Sequence, residues 1–375
     1  MVLMMLGAVQ LGAAAAFVVV LVPMAMAGWH LSRNKMLFFS GALFISLAIC
    51  VHLTPYFPSV PDFVTSVSSA VAFDHRTSCI NMVNDISWQV NPRNASSHLH
   101  NNATSDLDLY EKRWDWSDSH KLKACDFQKL SKPDASDLLN GSWVVVAGDS
   151  QARLFALSLL TLVLGSESQR MDSVRADLFK RHSDYSILVD EIGMKLDFVW
   201  APYVVNLTNL MMDFETRKSC PDVMVMGAGL WDMLHFNNAS DYEFALRMLN
   251  TKVVSLLPLS TELAINEPVV GSVPIKSSSH LFWLGMPVLI NGMLNTEEKR
   301  EKMSDAMWHA YDQSLGDSKL LRQTGGPLLL LDSQSLTWNC GPHCTSDGMH
   351  YDRAIYEAAV QIMLNTLLIE SHQRL

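Results

Sequence analysis

The chain has 375 residues, a formal net charge of -10 and 49% hydrophobic residues. That length suits one membrane-anchoring region and one sizeable globular domain, whose soluble part of roughly 290 residues can bury a full core without help from metals. An acidic chain without a basic stripe is a poor partner for phosphate backbones, so nucleic acid is excluded as a ligand.

The N-terminus is apolar twice over. Residues 2–27 carry no charged group, and residues 36–53 form a second run. A helix needs about 20 apolar residues to cross the hydrocarbon core, and both runs approach or exceed that length. Arg33 and Lys35 lie between them and hold that loop on the cytosolic side, so everything after about residue 55 is expected in the lumen with one span or two. The first run lacks a basic lead, which argues against a cleaved signal peptide. Five N-x-S/T sequons, at Asn94, Asn102, Asn140, Asn206 and Asn238, agree with a lumenal domain. So do Cys79, Cys125, Cys220, Cys340 and Cys344, all beyond the apolar region, although spacing does not give their pairing. The expected organisation is an anchor over 1–54, a Pro- and Ser-rich stem over 55–75, and a catalytic domain over 76–375.

Residues 76–140 show little hydrophobic periodicity and read as an irregular, disulfide-tethered subregion containing Trp114-Asp115-Trp116. From residue 143 the pattern changes. Short apolar runs at 143–147, 195–200, 222–227, 281–286 and 327–332 read as strands, and helices are expected over 151–163, 241–256, 297–315 and 352–370. Continuously apolar strands alternating with helices imply an α/β fold, a parallel sheet in three layers with helices on both faces. Ligands in such sheets bind beyond the carboxyl ends of the strands.

Two motifs fall there. The first strand ends in Gly148-Asp149-Ser150, which puts Ser150 at a helix N-terminus, where free N–H groups favour a developing oxyanion. A serine hydroxyl needs a neighbouring base, and a helix-capping role would be the plain alternative. The base is supplied after the last strand by Asp347-Gly348-Met349-His350. Asp and His at this spacing can hydrogen-bond in a turn, leaving the second imidazole nitrogen for Ser150.

GDSQAR (148–153) and DGMH (347–350) give the sequence its resemblance to the PC-esterase branch of the GDSL/SGNH superfamily. It is similar to the trichome-birefringence-like and altered-xyloglucan group of plant wall polysaccharide O-acetyltransferases, and to the lumenal domain of sialic-acid O-acetyltransferases. The likeness covers about residues 120–372. It implies an SGNH-hydrolase-like sheet, Ser150 as acetyl-accepting nucleophile, His350 as base and Asp347 as its orienting partner. Arg153 occupies a family position near the nucleophile, with a loop-holding salt bridge as the alternative role. The likeness further implies a xyloglucan- or xylan-type acceptor, no bound cofactor, and acetyl-CoA or an acetylated intermediate as co-substrate. A multi-pass membrane protein is the implied acetyl supplier, and the Golgi membrane the location, with the endoplasmic reticulum membrane second. An acetyl esterase using the same residues, or a non-catalytic glycan-binding scaffold, are the alternatives.

One block departs from the superfamily. Where G-x-N-D supplies an oxyanion amide, this chain has Gly227-Ala228-Gly229-Leu230-Trp231-Asp232, so Gly227, Gly229 and Trp231 become the candidate oxyanion or substrate groups. Cys340, His343, Cys344 and His350 could in principle ligate zinc, but disulfides fit an oxidising lumen better and no metal is expected. Trp114, Trp116 and Trp338 could stack on sugars, whereas Trp143, Trp200 and Trp283 read as core.

Overall fold

The computed structural model describes residues 79–93, 109–256 and 279–371. The chain divides into two units, Met1–His75 and Arg76–Leu375, and the described residues all belong to the second. The two apolar runs, the stem, Asn94 and Asn102 lie outside them. Among the described residues no helix is long and apolar enough to cross a membrane.

Strands β1 (Ile86–Pro92) and β2 (Tyr110–Trp116) form an antiparallel pair with Ile86 opposite Trp116. This corrects the expectation of an irregular subregion. The alternation is present, Ile86, Trp88 and Val90 against Ser87, Gln89 and Asn91, but the charges in Glu111-Lys112-Arg113 mask it in β2. The disulfide Cys79–Cys125 closes this segment, Cys340 bonds Cys344, and Cys220 belongs to neither bridge.

The main sheet contains β3 (Trp143–Gly148), β4 (Tyr185–Val189), β5 (Met194–Trp200), β6 (Val223–Gly227), β7 (His280–Leu284) and β8 (Leu329–Leu331) in the order β4-β5-β3-β6-β7-β8. All pairs are parallel except β4 with β5. The five expected strands are present. The sixth, β4, escaped sequence reading because it is a short, half-exposed edge strand.

Helices α1 (Lys132–Leu138), α2 (Ser150–Leu164), α3 (Arg170–Leu178), α4 (Val204–Arg217), α5 (Leu230–His235), α6 (Ala239–Leu256), α7 (Glu297–Lys302), α8 (Asp305–Asp317), α9 (Ser333–Cys340) and α10 (Arg353–Ser371) complete the unit. The expected single helix over 297–315 is two. Met303 ends α7 with its side chain in the core, and the Ser304 hydroxyl accepts the Met307 N–H to cap α8.

Strand β3 shows why both faces are covered. Val144 and Val146 point to one core with Phe155 and Leu159 of α2 and Ile362 of α10, whereas Val145 and Ala147 point to another with Leu207 of α4 and Tyr311 of α8. Alternate side chains leave a pleated strand on opposite faces, so a strand apolar at every position needs helices on both.

The strand ends converge closely. Gly148 pairs with Trp200 on one side and Gly227 on the other. A Cβ on Gly148 would lie 2.3 Å from the Gly227 carbonyl oxygen and 2.8 Å from the Ala152 Cβ. Gly148→Ala is therefore expected to destabilise the domain by about 2–3 kcal/mol, as overpacking of a tight core does. Chemical denaturation of the variant beside wild type measures this, and an unchanged midpoint would contradict it.

Candidate active site

Ser150 is the first residue of α2, directly after β3. The helix cap is Asp149, not Ser150: its Oδ1 accepts the Gln151 N–H at 2.9 Å. The serine hydroxyl is thereby released from the capping role and lies 2.7 Å from His350 Nε2. His350 Nδ1 lies 2.7 Å from Asp347 Oδ2. With the Nδ1 proton directed at the carboxylate, Nε2 presents a lone pair to the Ser150 O–H.

The Asp347–His350 turn is over-determined. Asp347 Oδ1 accepts the backbone N–H groups of Met349 (3.0 Å) and His350 (2.7 Å). Thr345 Oγ1 accepts the Gly348 N–H and donates to the His350 carbonyl. Gly348 has φ +74°, and a Cβ there would meet the Ile290 carbonyl oxygen at 2.5 Å. Burial would raise the Asp347 carboxyl, but the His350 side-chain bond, the two backbone N–H bonds and the imidazole charge together hold it well below the usual carboxylate range. It stays ionised while it orients the imidazole.

Gln151 was not singled out by sequence reading. Its buried side chain donates to the Met349 carbonyl at 3.0 Å and accepts the Tyr356 O–H at 2.6 Å. It straps the nucleophile helix both to the Asp347–His350 turn and to α10. Its position beside Ser150 was the only sequence signal. Two buried carboxyls were missed as well. Burial pushes Asp149 up to about 6 and Asp232 up to about 7, with the Asp149 charge adding to the latter. Asp232 Oδ2 has no hydrogen-bond partner.

Arg153 lies one turn after Ser150 and is buried. It holds no salt bridge among the described residues, contrary to the loop-holding role considered for it. Its guanidinium carbon instead sits 4.7 Å from the Trp200 ring centroid and 5.2 Å from that of Phe198. Trp200 packs against the core at its edge without being fully buried. It ends β5 beside Gly148, is half-buried, stacks with His182 at 4.8 Å and meets Trp231 edge-on at 5.6 Å. Trp231 stacks on His235 at 5.0 Å and meets Tyr203 edge-on. The sheet thus presents a group of partly open rings at the strand ends beside the Ser150 turn.

Other expected groups are distributed differently. Gly227 lies in the ladder opposite Gly148, where its missing side chain admits Leu284. Gly229 has φ +135°, and its N–H has no acceptor among the described residues, as required of an oxyanion donor. Trp114 is buried beneath Lys129 and half-buried Trp116 packs against Trp114 and Phe127 on the core, whereas Trp338 is 73% exposed. Trp283 is core as expected, and Trp143 is half-buried, bonding Asp197. His343 stacks on Tyr110 at 4.1 Å, which separates it from the Cys340–Cys344 bridge as a ligand set. Asn140 and Asn238 are exposed, and Asn206 accepts the Tyr203 N–H.

A Ser–His–Asp relay at the carboxyl ends of a mostly parallel, doubly covered sheet has the geometry of serine-nucleophile α/β enzymes. The chain is 67% identical over 372 residues to Protein ALTERED XYLOGLUCAN 9 of Arabidopsis thaliana, covering 99% of this chain and 100% of that one. It belongs to the family of that protein, the trichome-birefringence-like group. No family model matches the chain. Among solved structures it is similar to LAE5, an α/β hydrolase from the metagenome of Lake Arreo in Spain (16% identity, 61% of this chain and 96% of that one, TM-score 0.34). It is also similar to Axe2, an acetylxylan esterase from Geobacillus stearothermophilus (14% identity, 61% of this chain and 95% of that one, TM-score 0.32).

The raised carboxyls carry a pH signature. A folded pKa of about 7 for Asp232, against about 3.9 for an unfolded aspartate, favours folding fully below pH 4 and loses that contribution as pH rises through 7. Asp232→Asn should leave stability near pH 4 unchanged and raise it at pH 7.5 by on the order of 2–4 kcal/mol. Thermal unfolding of both proteins across pH 4–8 measures the difference, and parallel profiles would refute it.

Proposed function

We propose that this protein is an O-acetyltransferase acting on cell-wall polysaccharide of the xyloglucan or xylan type through an acetyl-Ser150 intermediate. The observation that carries the reading is the continuous relay from Ser150 Oγ to His350 Nε2 and from His350 Nδ1 to Asp347, each step 2.7 Å. Its membership of the family of a protein named for altered xyloglucan, and the partly exposed rings of Trp200, Trp231 and His235 at the strand ends, support a glycan acceptor.

His350 Nε2 removes the Ser150 proton as Oγ attacks the acetyl carbonyl of the donor. The tetrahedral oxyanion forms at the N-terminus of α2, where the Ser150 N–H lacks an intrahelical acceptor, and near the Gly229 N–H. Collapse expels the donor's leaving group, which takes the proton from His350, and leaves acetyl-Ser150. A sugar hydroxyl then gives its proton to His350, attacks the acetyl group and restores the serine. Asp347 keeps the imidazole in the required tautomer and stabilises the transient imidazolium. The donor in this proposal is acetyl-CoA or an acetylated intermediate passed on by a multi-pass membrane protein, and the site works in the Golgi lumen. Water in place of the sugar gives the esterase reaction, so exclusion of water by the bound glycan decides the outcome.

A fluorophosphonate probe should label wild type and not Ser150→Ala, and mass spectrometry should find an acetyl adduct on Ser150 after incubation with donor. Persisting label in Ser150→Ala would sink the assignment. Asp347→Asn is expected to lower turnover by about 10⁴ through the wrong tautomer, with the fold intact. Trp231→Ala should raise KM for a wall oligosaccharide about tenfold while leaving probe labelling unchanged, consistent with loss of a ring contact of ~1–1.5 kcal/mol. Assaying bare and acetylated oligosaccharides with one preparation separates transfer from hydrolysis.

A further inference from the structure

The β1–β2 pair takes no part in the chemistry above, yet its contacts collect on one stretch of chain. Alternate residues of β2 point inward, so Tyr110, Lys112 and Trp114 share the less exposed face and Glu111, Arg113 and Asp115 the open one. A lysine on an inward face needs a partner, because a buried ammonium without one is costly. That partner is Asp352. The two side chains are 5% and 20% exposed, so the pair is largely withdrawn from water.

Asp352 stands two residues after His350 and engages every polar group it has. Its N–H donates to the Cys344 carbonyl at 2.8 Å, which with the Thr345–Tyr351 bridge closes the chain around Asp347 and His350. Its Oδ1 accepts the Ala354 N–H at 2.8 Å and its carbonyl accepts the Ile355 N–H, which together start α10. Its Oδ2 takes the Lys112 ammonium. One carboxylate therefore joins the relay turn, the final helix and β2.

The β1–β2 pair meets the same stretch at further points. Just before β1, the Asn84 amide donates to the Leu330 carbonyl at 2.9 Å and accepts the Asp332 N–H at 3.0 Å. Those groups lie at the edge of the sheet, on β8 and directly after it, and the side chain closes them off as a neighbouring strand would. At the other end of the pair, Tyr110 stacks on His343 at 4.1 Å. Between these points β1 packs along α9. The chain from Leu330 to Asp352, which carries both Asp347 and His350, is thus held at its start, near its middle and at its end.

We propose that the β1–β2 pair is a positioning element for the Ser150 relay, and that Lys112 is its principal positioning residue, acting on His350 through Asp352. The relay turn is rigid within itself, since Asp347 and Thr345 bond its own N–H and C=O groups. What remains to be set is where that turn stands relative to Ser150. Gln151 sets it from the nucleophile's helix, and Lys112 sets it from β2. Without the ammonium, the Asp352 carboxylate loses its counter-charge and turns toward water, which releases the Ala354 cap and shifts the turn. The Ser150 Oγ to His350 Nε2 distance then departs from 2.7 Å, and a misplacement of about 1 Å costs on the order of 10²-fold in rate. The rate consequence rests on the serine chemistry proposed above, whereas the bracing of the turn does not.

Two readouts on the purified full-length chain test this. Saturation kinetics of fluorophosphonate labelling separate probe binding from the maximal rate at Ser150, at a temperature where circular dichroism shows each variant folded. Lys112→Met is expected to lower the maximal rate about 10- to 100-fold and to leave half-saturation unchanged. Lys112→Arg should recover most of that rate. Asp352→Asn should match Lys112→Met, and the double variant should be no slower than either, because the two residues act as one. Hydrogen exchange reads the turn without reference to the chemistry: Lys112→Met should lose protection over residues 344–352 and keep it in β3. Tyr110→Leu, which removes the ring stacked on His343, should lose about threefold in rate with the same exchange pattern, and it decides the matter if Lys112→Met does not fold. Either a wild-type labelling rate or wild-type exchange in folded Lys112→Met overturns the proposal, as does multiplication of the two losses in the double variant. If wild type takes no label, the serine reading falls and the exchange result alone decides whether the turn is braced.

Discussion

The whole site depends on holding Ser150 and His350, two hundred residues apart in sequence, at 2.7 Å. No local element can do this. The strap through Gln151, bonded to the Met349 carbonyl and the Tyr356 hydroxyl, fastens the serine's helix to the histidine's turn. Beneath it, the strand ends approach so closely that Gly148 admits no side chain. Backing the turn, the Ile290 N–H donates to the Gly348 carbonyl at 2.9 Å. A buried amide bonded through both its oxygen and its nitrogen favours one geometry, which is what preorganisation of a proton relay requires.

Electrostatics at the site are divided by depth. Asp347, partly exposed and saturated with N–H donors, is held ionised. Asp149 and Asp232, deeper and poorer in donors, are driven toward their neutral forms. The carboxyl that orients the imidazole is thus the one held most firmly in its charged form. Arg153, buried against Trp200 and Phe198, forms no salt bridge among the described residues, and its charge and that of Asp149 favour one another across a longer distance.

Much of this was legible in the sequence where chemistry is local. The five parallel strands showed as apolar runs, and Ser150, Asp347 and His350 as two short motifs at predicted strand ends. What was hidden is what depends on long-range contact. Gln151 looks like any helical polar residue until Met349 and Tyr356 arrive. Trp200 looks like a core residue because it closes an apolar strand, but the sheet ends there and its ring emerges among His182 and Trp231. β2 was disguised by its charges, of which Lys112 turns inward to pair with Asp352 while Glu111, Arg113 and Asp115 stay exposed. The departure at Gly227–Asp232 was visible, whereas its outcome, a Gly229 N–H without an acceptor among the described residues and a buried Asp232 three positions on, depends on the folded backbone.

The distribution of the relay along the chain also has a meaning for synthesis. β3 is flanked in the sheet by β5 and β6, so the nucleophile's strand gains both neighbours well before β8 and α10 have been made. The base, its orienting acid and the tyrosine that anchors Gln151 all lie within residues 347–356. A ribosome can therefore deliver most of the hydrophobic core before any reactive serine exists. On the proposed chemistry the relay closes only when the final helix docks, because the partners of Ser150 and Gln151 (His350, Met349 and Tyr356) are the last parts of the site to be made.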